Sequence, residues 1–386
     1  MADGFGLGWD GVREGGLAEL GVTAWHKNGG TNIYGSELFV LPDEGLALFI
    51  TGTSRTYGPI ALAERIVLNA LVERGRIAAF PAPLAATPLT PVAASDQQLA
   101  EISGIYANYT GLARIEPAGR RLALSTYADG AWSAATSLQL RSDGTFSSDA
   151  DPLTAYRSVL AQGERYLVKR SAGAVLGQGL KHHLEEFPYM QRLNPGGAML
   201  PAWSSRLGLQ GLVVNSAADS LDLLTPMGTL LQPAPAELSG YVLNYSDQLL
   251  DAWSSKESAR MCLKIPYIHG RDLSDFVIVP HSGEEFVRIG SSVFRPLPGV
   301  PVLASASTTT VTIGAEGYAE WRSITATATA PGVAITGASA WKLYDGSFAL
   351  LASGDSTSQP TPPASASKSY LLLYGGTGTT IGVTLS

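Results

Sequence analysis

The stretch AWHKNGGTNIYGSELFVLPDEGLALFITG, Ala24 to Gly52, decides how the first part of this chain is read. It opens on a lysine in a polar, glycine-rich knot and runs into two short apolar segments. LGVTAWHK, YGSELFVL and GLALFITG are rich in β-formers and bounded by Gly, Pro or Asn, so they predict three consecutive antiparallel strands, with PDEG turning the last two. In the following YGPIALAERIVLNALVERG, residues Ile60, Ala63, Ile66, Val67, Ala70 and Leu71 fall at helical spacing, and Gly75 is placed to stop the helix. Three strands and one helix leave a large apolar face with little of their own to bury it against, and a unit that small is marginal in water. Residues 1–77 are therefore expected to be the closing part of a domain whose beginning lies elsewhere.

Outward from that unit the character of the chain changes. IAAFPAPLAATPLTPVAASD, with its prolines among alanines and no periodicity, reads as a semi-rigid linker over 78–96. From 97 to 300 short alternating runs such as GIYANYTGLARIEPAGRRLALSTYADGAW and SDFVIVPHSGEEFVRIGSSVFRPLPG are separated by turn residues, which predicts an all-β, barrel-like region of one or two units. AEISGIYANY from Ala100 and AELSGYVLNY from Ala236 share six identities over ten positions, an internal echo that fits either two related β-units or a shared strand-entry pattern. The Thr-, Ser-, Ala- and Gly-rich residues 301–386 predict a small β-sandwich, with Trp341, Leu343 and Tyr344 alternating beside a DG turn. The fold class expected is mostly β.

Composition removes several classes of function. The chain has 386 residues, 45% of them hydrophobic, enough for real cores. A formal charge of -7 with only 15% charged residues speaks against a basic nucleic-acid face. One cysteine, Cys262, excludes an internal disulfide framework and a Cys-rich zinc site, and reads as a buried apolar side chain. No apolar run reaches the roughly 20 residues of a membrane span.

The first 77 residues resemble the C-terminal part of the catalytic domain in the β-lactamase-like serine hydrolases, the family of class C β-lactamases, D-aminopeptidases and related esterases. GFGLGW, Gly4 to Trp9, resembles the segment that precedes the last strands there, and HKNGGTN, His26 to Asn32, resembles the family's third active-site motif. Lys27, Asn28 and Gly29 match Lys-Thr-Gly, with Asn where the family usually has Thr or Ser. The resemblance implies Lys27 as a fixed cation, Asn28 as its polar neighbour and the Gly30 N–H as an oxyanion donor, with His26, Gly29, Thr31 and Asn32 facing substrate. Acyl transfer needs such a cation and such backbone donors. Read from the residues alone, the same tripeptide also fits a plain hairpin, since Asn-Gly is a common turn.

In that family the nucleophile, Ser-x-x-Lys on a helix, and Tyr-x-Asn both precede the lysine strand. Neither has room before Lys27. YAN at Tyr106–Asn108 and SASK at Ser365–Lys368 occur downstream, in reversed order and in strand-like contexts, and are read as decoys; on a strand, Ser and Lys at that spacing point to opposite faces.

Other clusters have plainer readings. KHHLEEF, with His182, His183, Glu185 and Glu186, reads as a polar surface loop rather than a metal site. HGRDLSD (His269, Arg271, Asp272, Asp275) and PHSGEE (His281, Glu284, Glu285) read as turns stapled by ion pairs, although an Arg beside an exposed carboxylate is also a specificity device. Trp203 and Trp253, each before a Ser pair, are read as closing a barrel core.

The resemblance therefore implies the C-terminal section of a serine hydrolase of the peptidase or esterase branch. It would act on a small peptide, amide or ester without cofactor or metal, depend on an N-terminal catalytic half, and work in the periplasm or outside the cell. The alternative is a non-catalytic β-rich binding protein. No nucleic-acid partner and no membrane span are expected.

Overall fold

The structure, a computed structural model, describes residues 8–12, 15–30, 34–53, 59–80, 89–175, 180–215, 226–265, 273–281, 283–304, 307–325, 331–361 and 368–386, without the side chains of 15–16, 60–61 and 172–187. The chain divides into two compact units. One holds residues 1–195 with 263–273; the other holds 196–262 with 274–386.

The first unit begins with a three-stranded antiparallel sheet in the order β1 (Trp25–Gly30), β2 (Tyr34–Leu41), β3 (Leu46–Thr53). Pro42–Glu44 form a single 3₁₀ turn, and Gly45 closes it at φ 59°, donating its N–H to the Pro42 carbonyl at 3.3 Å. Two helices, α1 (Gly15–Glu19) and α2 (Pro59–Glu73), accompany this sheet. Gly75 stops α2 as expected: at φ 67° it gives its N–H to Val72 O, while Arg76 N–H reaches back to Leu71 O, the paired bonds of a Schellman cap.

Leu17, Val22, Ala24, Phe39, Leu41, Ala63, Val67, Leu68 and Leu71 form the core between sheet and helices. The stripe that α2 buries runs through Ala63, Glu64, Val67, Leu68 and Leu71, so Ile66, expected inside, is 40% exposed. The opposite face of the sheet is open at Phe49, 64% exposed.

The presumed linker ends earlier than its composition implies. Thr90 and Val92 hydrogen-bond Ser142 and Leu140, which ties this stretch to the β-structure that follows. Arg141, fully buried, anchors the same corner by donating to Leu89 O, to Ser147 and to Asp149. Ser95 and Gln98 then form a capping box that opens α3 (Asp96–Ile102).

Beyond α3 lie β4 (Gly104–Asn108), β5 (Gly111–Ala118), β6 (Arg121–Ala128), β7 (Ala131–Trp132), β8 (Thr136–Leu140), β9 (Phe146–Ser147), β10 (Ala155–Ala161), β11 (Glu164–Val175) and β12 (Leu180–Arg192). Neighbours pair in sequence, β12 returns to β4, and β5 pairs β6, so eight strands close into an up-and-down barrel with β7 as a side hairpin. Leu99 and Ile102 of α3 join Tyr106, Ile115, Leu122, Leu138, Phe146 and Leu167 in its packed interior.

The second unit repeats the principle. After α4 (Pro201–Ser204) come β13 (Gln210–Val213), β14 (Met227–Thr229), β15 (Leu231–Pro233), β16 (Tyr241–Asn244), β17 (Leu249–Asp251), β18 (Ser258–Met261), β19 (Phe276–His281), β20 (Glu284–Ile289) and β21 (Ser292–Pro296). β21 pairs β13, β13 pairs β14, and β14 continues through Leu230 into β15, which pairs β16. Leu230 N–H to Leu209 O and Gly208 N–H to Leu231 O carry the ladder across the break, so this ring closes as well.

The sequence echo falls on the same local structure in both rings. Gly104 and Gly240, both at positive φ, lead into β4 and β16, and buried Asn108 and Asn244 end those strands. Each Asn side-chain oxygen accepts the N–H two residues on, at 2.9 Å. The chain order differs: β4 opens the first ring, whereas β13 and the β14–β15 strand precede β16 in the second.

The remaining strands, β22 (Ser307–Thr312), β23 (Glu320–Ile324), β24 (Val333–Thr336), β25 (Ala340–Tyr344), β26 (Leu350–Asp355), β27 (Ser369–Tyr374) and β28 (Thr380–Leu385), form two sheets ordered β22-β28-β24 and β23-β27-β25-β26. Val311, Ile335, Trp341, Leu343, Leu371 and Val383 bury one shared core between them. Trp321, wholly buried, joins this sandwich to the second ring by donating its indole N–H to Val213 O at 2.7 Å.

Candidate functional site

On β1 successive side chains alternate between the two faces of the sheet. Trp25, Lys27 and Gly29 share one face, while His26, Asn28 and Gly30 share the other. The edge of β1 away from β2 is partly covered. Asp10 and Gly11 N–H groups donate to His26 O at 3.0 and 3.3 Å, and His26 N–H donates to Gly11 O at 2.8 Å. Trp9 continues this contact, its ring centroid 5.7 Å from that of Trp25.

Asp10 organises the lysine. Lys27 Nζ donates to Asp10 Oδ1 and Oδ2 at 3.0 and 2.9 Å and to Asn28 O at 2.6 Å, and Asn28 N–H donates to Asp10 Oδ2 at 2.8 Å. Burial works to raise the Asp10 carboxyl, but the bonds from Lys27 and Asn28, with the charges of Lys27 and His26, outweigh it and hold the group below its ordinary value. All the ammonium's described bonds go to oxygen, and its side chain stays 40% exposed. Lys27 is thus a cation held in a fixed place.

N–H groups of alternate residues on a strand point to the same edge. Those of His26 and Asn28 both point away from β2, to Gly11 and Asp10, so that of Gly30 is directed to the same side. Added side chains fit poorly at the glycines: a Cβ at Gly29 would sit 3.0 Å from Ser36 Oγ, and one at Gly30 3.2 Å from Tyr34 O.

On the helix-facing side His26 stacks on Phe39, centroids 5.8 Å apart, and its Nδ1 lies 3.4 Å from the wholly buried carboxylate of Glu37. Gly11 makes room for that ring, since a Cβ there would meet His26 Nε2 at 2.5 Å.

His26, Lys27, Asn28, Gly29 and Gly30 therefore sit together on one strand, while Thr31, Asn32 and Gly4 to Leu7 lie outside the described residues. Asp10 and Glu37 were not anticipated. The signal for Glu37 is the alternation of YGSELFVL, which puts it on the face of Phe39 and Leu41.

The other motifs separate from this strand. Tyr106 is buried in the first barrel and donates to Ile102 O, and Asn108 Nδ2 donates to Tyr189 O, so both are structural. Ser365 lies outside the described residues, and Lys368 is exposed. His182, His183, Glu185 and Glu186 stand on strand β12 rather than on a loop, opposite Gly173, Ala172, Arg170 and Lys169, because the β11–β12 hairpin extends well past its barrel ladder. His269, Arg271 and Asp272 lie outside the described residues, and Asp275 accepts the Met261 N–H. Trp203 is wholly buried in the second barrel against Phe276, with its N–H on Ser255 O, and Trp253 packs edge-on to Tyr241.

Compared with protein-family models and with curated proteins, the chain matches none.

Proposed function

We propose that this chain is the C-terminal section of a β-lactamase-like serine hydrolase of the peptidase or esterase branch. It would supply Lys27 and the Gly30 N–H to an acyl-transfer site completed by a Ser-x-x-Lys and Tyr-x-Asn half. The observation that carries the reading is the row of β1 groups at one sheet edge: a cation pinned by Asp10, then two glycines, with the Gly30 N–H directed outward on the side of the His26 and Asn28 N–H groups. Substrate lying along that edge would meet a fixed positive charge for an anionic group and a preorganised donor for a developing oxyanion. Asn28 takes the middle place of the motif, with its carboxamide on the face opposite Lys27.

A second reading has its own support. Because Asp10 already neutralises Lys27, the strand also suits a scaffold, with the two barrels and the sandwich acting as a non-catalytic binding protein. Intact mass after incubation with a fluorophosphonate or a β-lactam separates the two. The hydrolase reading expects no adduct on this chain, and an adduct on a partner chain or an upstream extension that is lost with Lys27→Ala. An adduct on this chain alone, or none on any assembly, sinks it.

A further inference from the structure

The second barrel carries a cleft that the hydrolase reading does not use. It has a volume of about 390 Å³ and is lined by Leu209, Ile278, Val287, Pro296, Pro298 and Gly299, with Arg206, Glu284 and Glu285 at its rim. That volume falls within the range of roughly 300–1,000 Å³ usual for small-molecule sites, which favour barrel mouths.

Strand register explains where the cleft lies. Ile278 pairs Val287 across β19 and β20, and both contribute to the barrel's inner core. Glu285, two residues before Val287, shares that inward face nearer the end of β20. The turn after α4 lies over this end and delivers Arg206 and Leu209, the latter tied by its carbonyl to Leu230 N–H.

The two charged partners at the rim are unequally held. Arg206 is only 18% exposed; its guanidinium lies over the Trp203 ring and donates to Ala202 O at 2.8 Å. Glu285 is 61% exposed, and both its carboxylate oxygens accept from Arg206 Nη2, at 3.1 and 3.0 Å. Glu284 is committed elsewhere, to Arg295 at 2.5 Å, itself 7% exposed. Glu285 is the exposed member of the pair, so turning it out into water leaves no carboxylate stranded in the interior. That movement leaves a fixed guanidinium beside an apolar cleft, in a place where it already binds a carboxylate.

We propose that this cleft binds a small apolar carboxylate, with Arg206 as its anchor and Glu285 as the internal carboxylate it displaces. The inference is independent of the serine-hydrolase reading.

Titration calorimetry of the full chain with octanoate, octanol and octylammonium tests it. Saturable octanoate binding at one site is expected, with octanol weaker and octylammonium weakest. Arg206→Gln should weaken octanoate at least tenfold, and Glu285→Gln should leave it unchanged or tighten it. Because Arg206 also braces Trp203, a second variant guards against misfolding: Pro298→Glu, on an exposed lining residue, should weaken octanoate severalfold while sparing octanol. No saturable octanoate binding, octylammonium binding as well as octanoate, or Glu285→Gln weakening octanoate as Arg206→Gln does would each overturn the proposal.

Discussion

Glu37 faces His26 from the neighbouring strand, its wholly buried side chain 3.4 Å from the imidazole Nδ1, on the side of the sheet that carries Phe39 and Leu41 into the core. A buried charge that loses its partner is costly, on the order of 3–5 kcal/mol. His26→Leu, which keeps the bulk against Phe39 but strands Glu37, should destabilise the N-terminal layer by about 3 kcal/mol. His26→Leu with Glu37→Gln should recover most of that loss. Denaturant midpoints of the first unfolding transition report it; equal loss in the single and double variants would mean that the pair is not coupled.

The Asp10 and Lys27 pair has a defined pH window. The Asp10 carboxyl sits below its ordinary value of 3.8 in the folded protein. As pH falls, the unfolded chain takes up that proton first, so the pair's contribution is complete above about pH 4 and fades as pH drops through the depressed folded value. Asp10→Asn should melt lower than the parent at neutral pH, and the gap should close in acid. A gap that stays constant from pH 7 to pH 3 would exclude a carboxylate role.

These contacts also mark how far the residues can be read before folding. The strands β1 to β3, the PDEG turn and the Gly75 stop depend on neighbours within a few positions, where propensity and alternation act directly. Ring closure does not: β12 meets β4, and β21 meets β13, across most of each barrel, and strands of three or four residues carry too little alternation to specify a partner. Asp10 reaches Lys27 because a turn through α1 folds Trp9–Gly11 back along β1, a path that no local pattern announces. Arg206 and Glu285, 79 positions apart, meet for the same reason.

Cys262 should be chemically quiet. Burial, reinforced by the charge of Asp251, pushes its thiol up to about 11. The thiolate is the reactive form, so at pH 8 roughly a hundredfold less of it is present than for a free cysteine of ordinary pKa, about 8.5. Labelling by a disulfide reagent should be slower than for a model thiol by about two orders of magnitude, and should become fast on unfolding in urea. Rapid labelling of the native protein would show that the Tyr241 and Cys262 side of the second barrel opens.

The two echo glycines predict unequal costs for one substitution. Both sit at positive φ, 146° for Gly104 and 83° for Gly240, where a side chain adds strain of order 1–2 kcal/mol. Beyond strain, a Cβ on Gly104 meets the Arg192 side chain at 2.7 Å, whose long stem can shift. A Cβ on Gly240 falls on the Gly197 carbonyl, which is backbone and packed beside Trp253, so the strand entry itself must move. Gly104→Ala should therefore cost about 1–2 kcal/mol, and Gly240→Ala at least about 3 kcal/mol. Melting of each variant, followed through the transition of its own unit, tests the order; equal losses would mean that the backbone contact at Gly197 yields as easily as an arginine side chain.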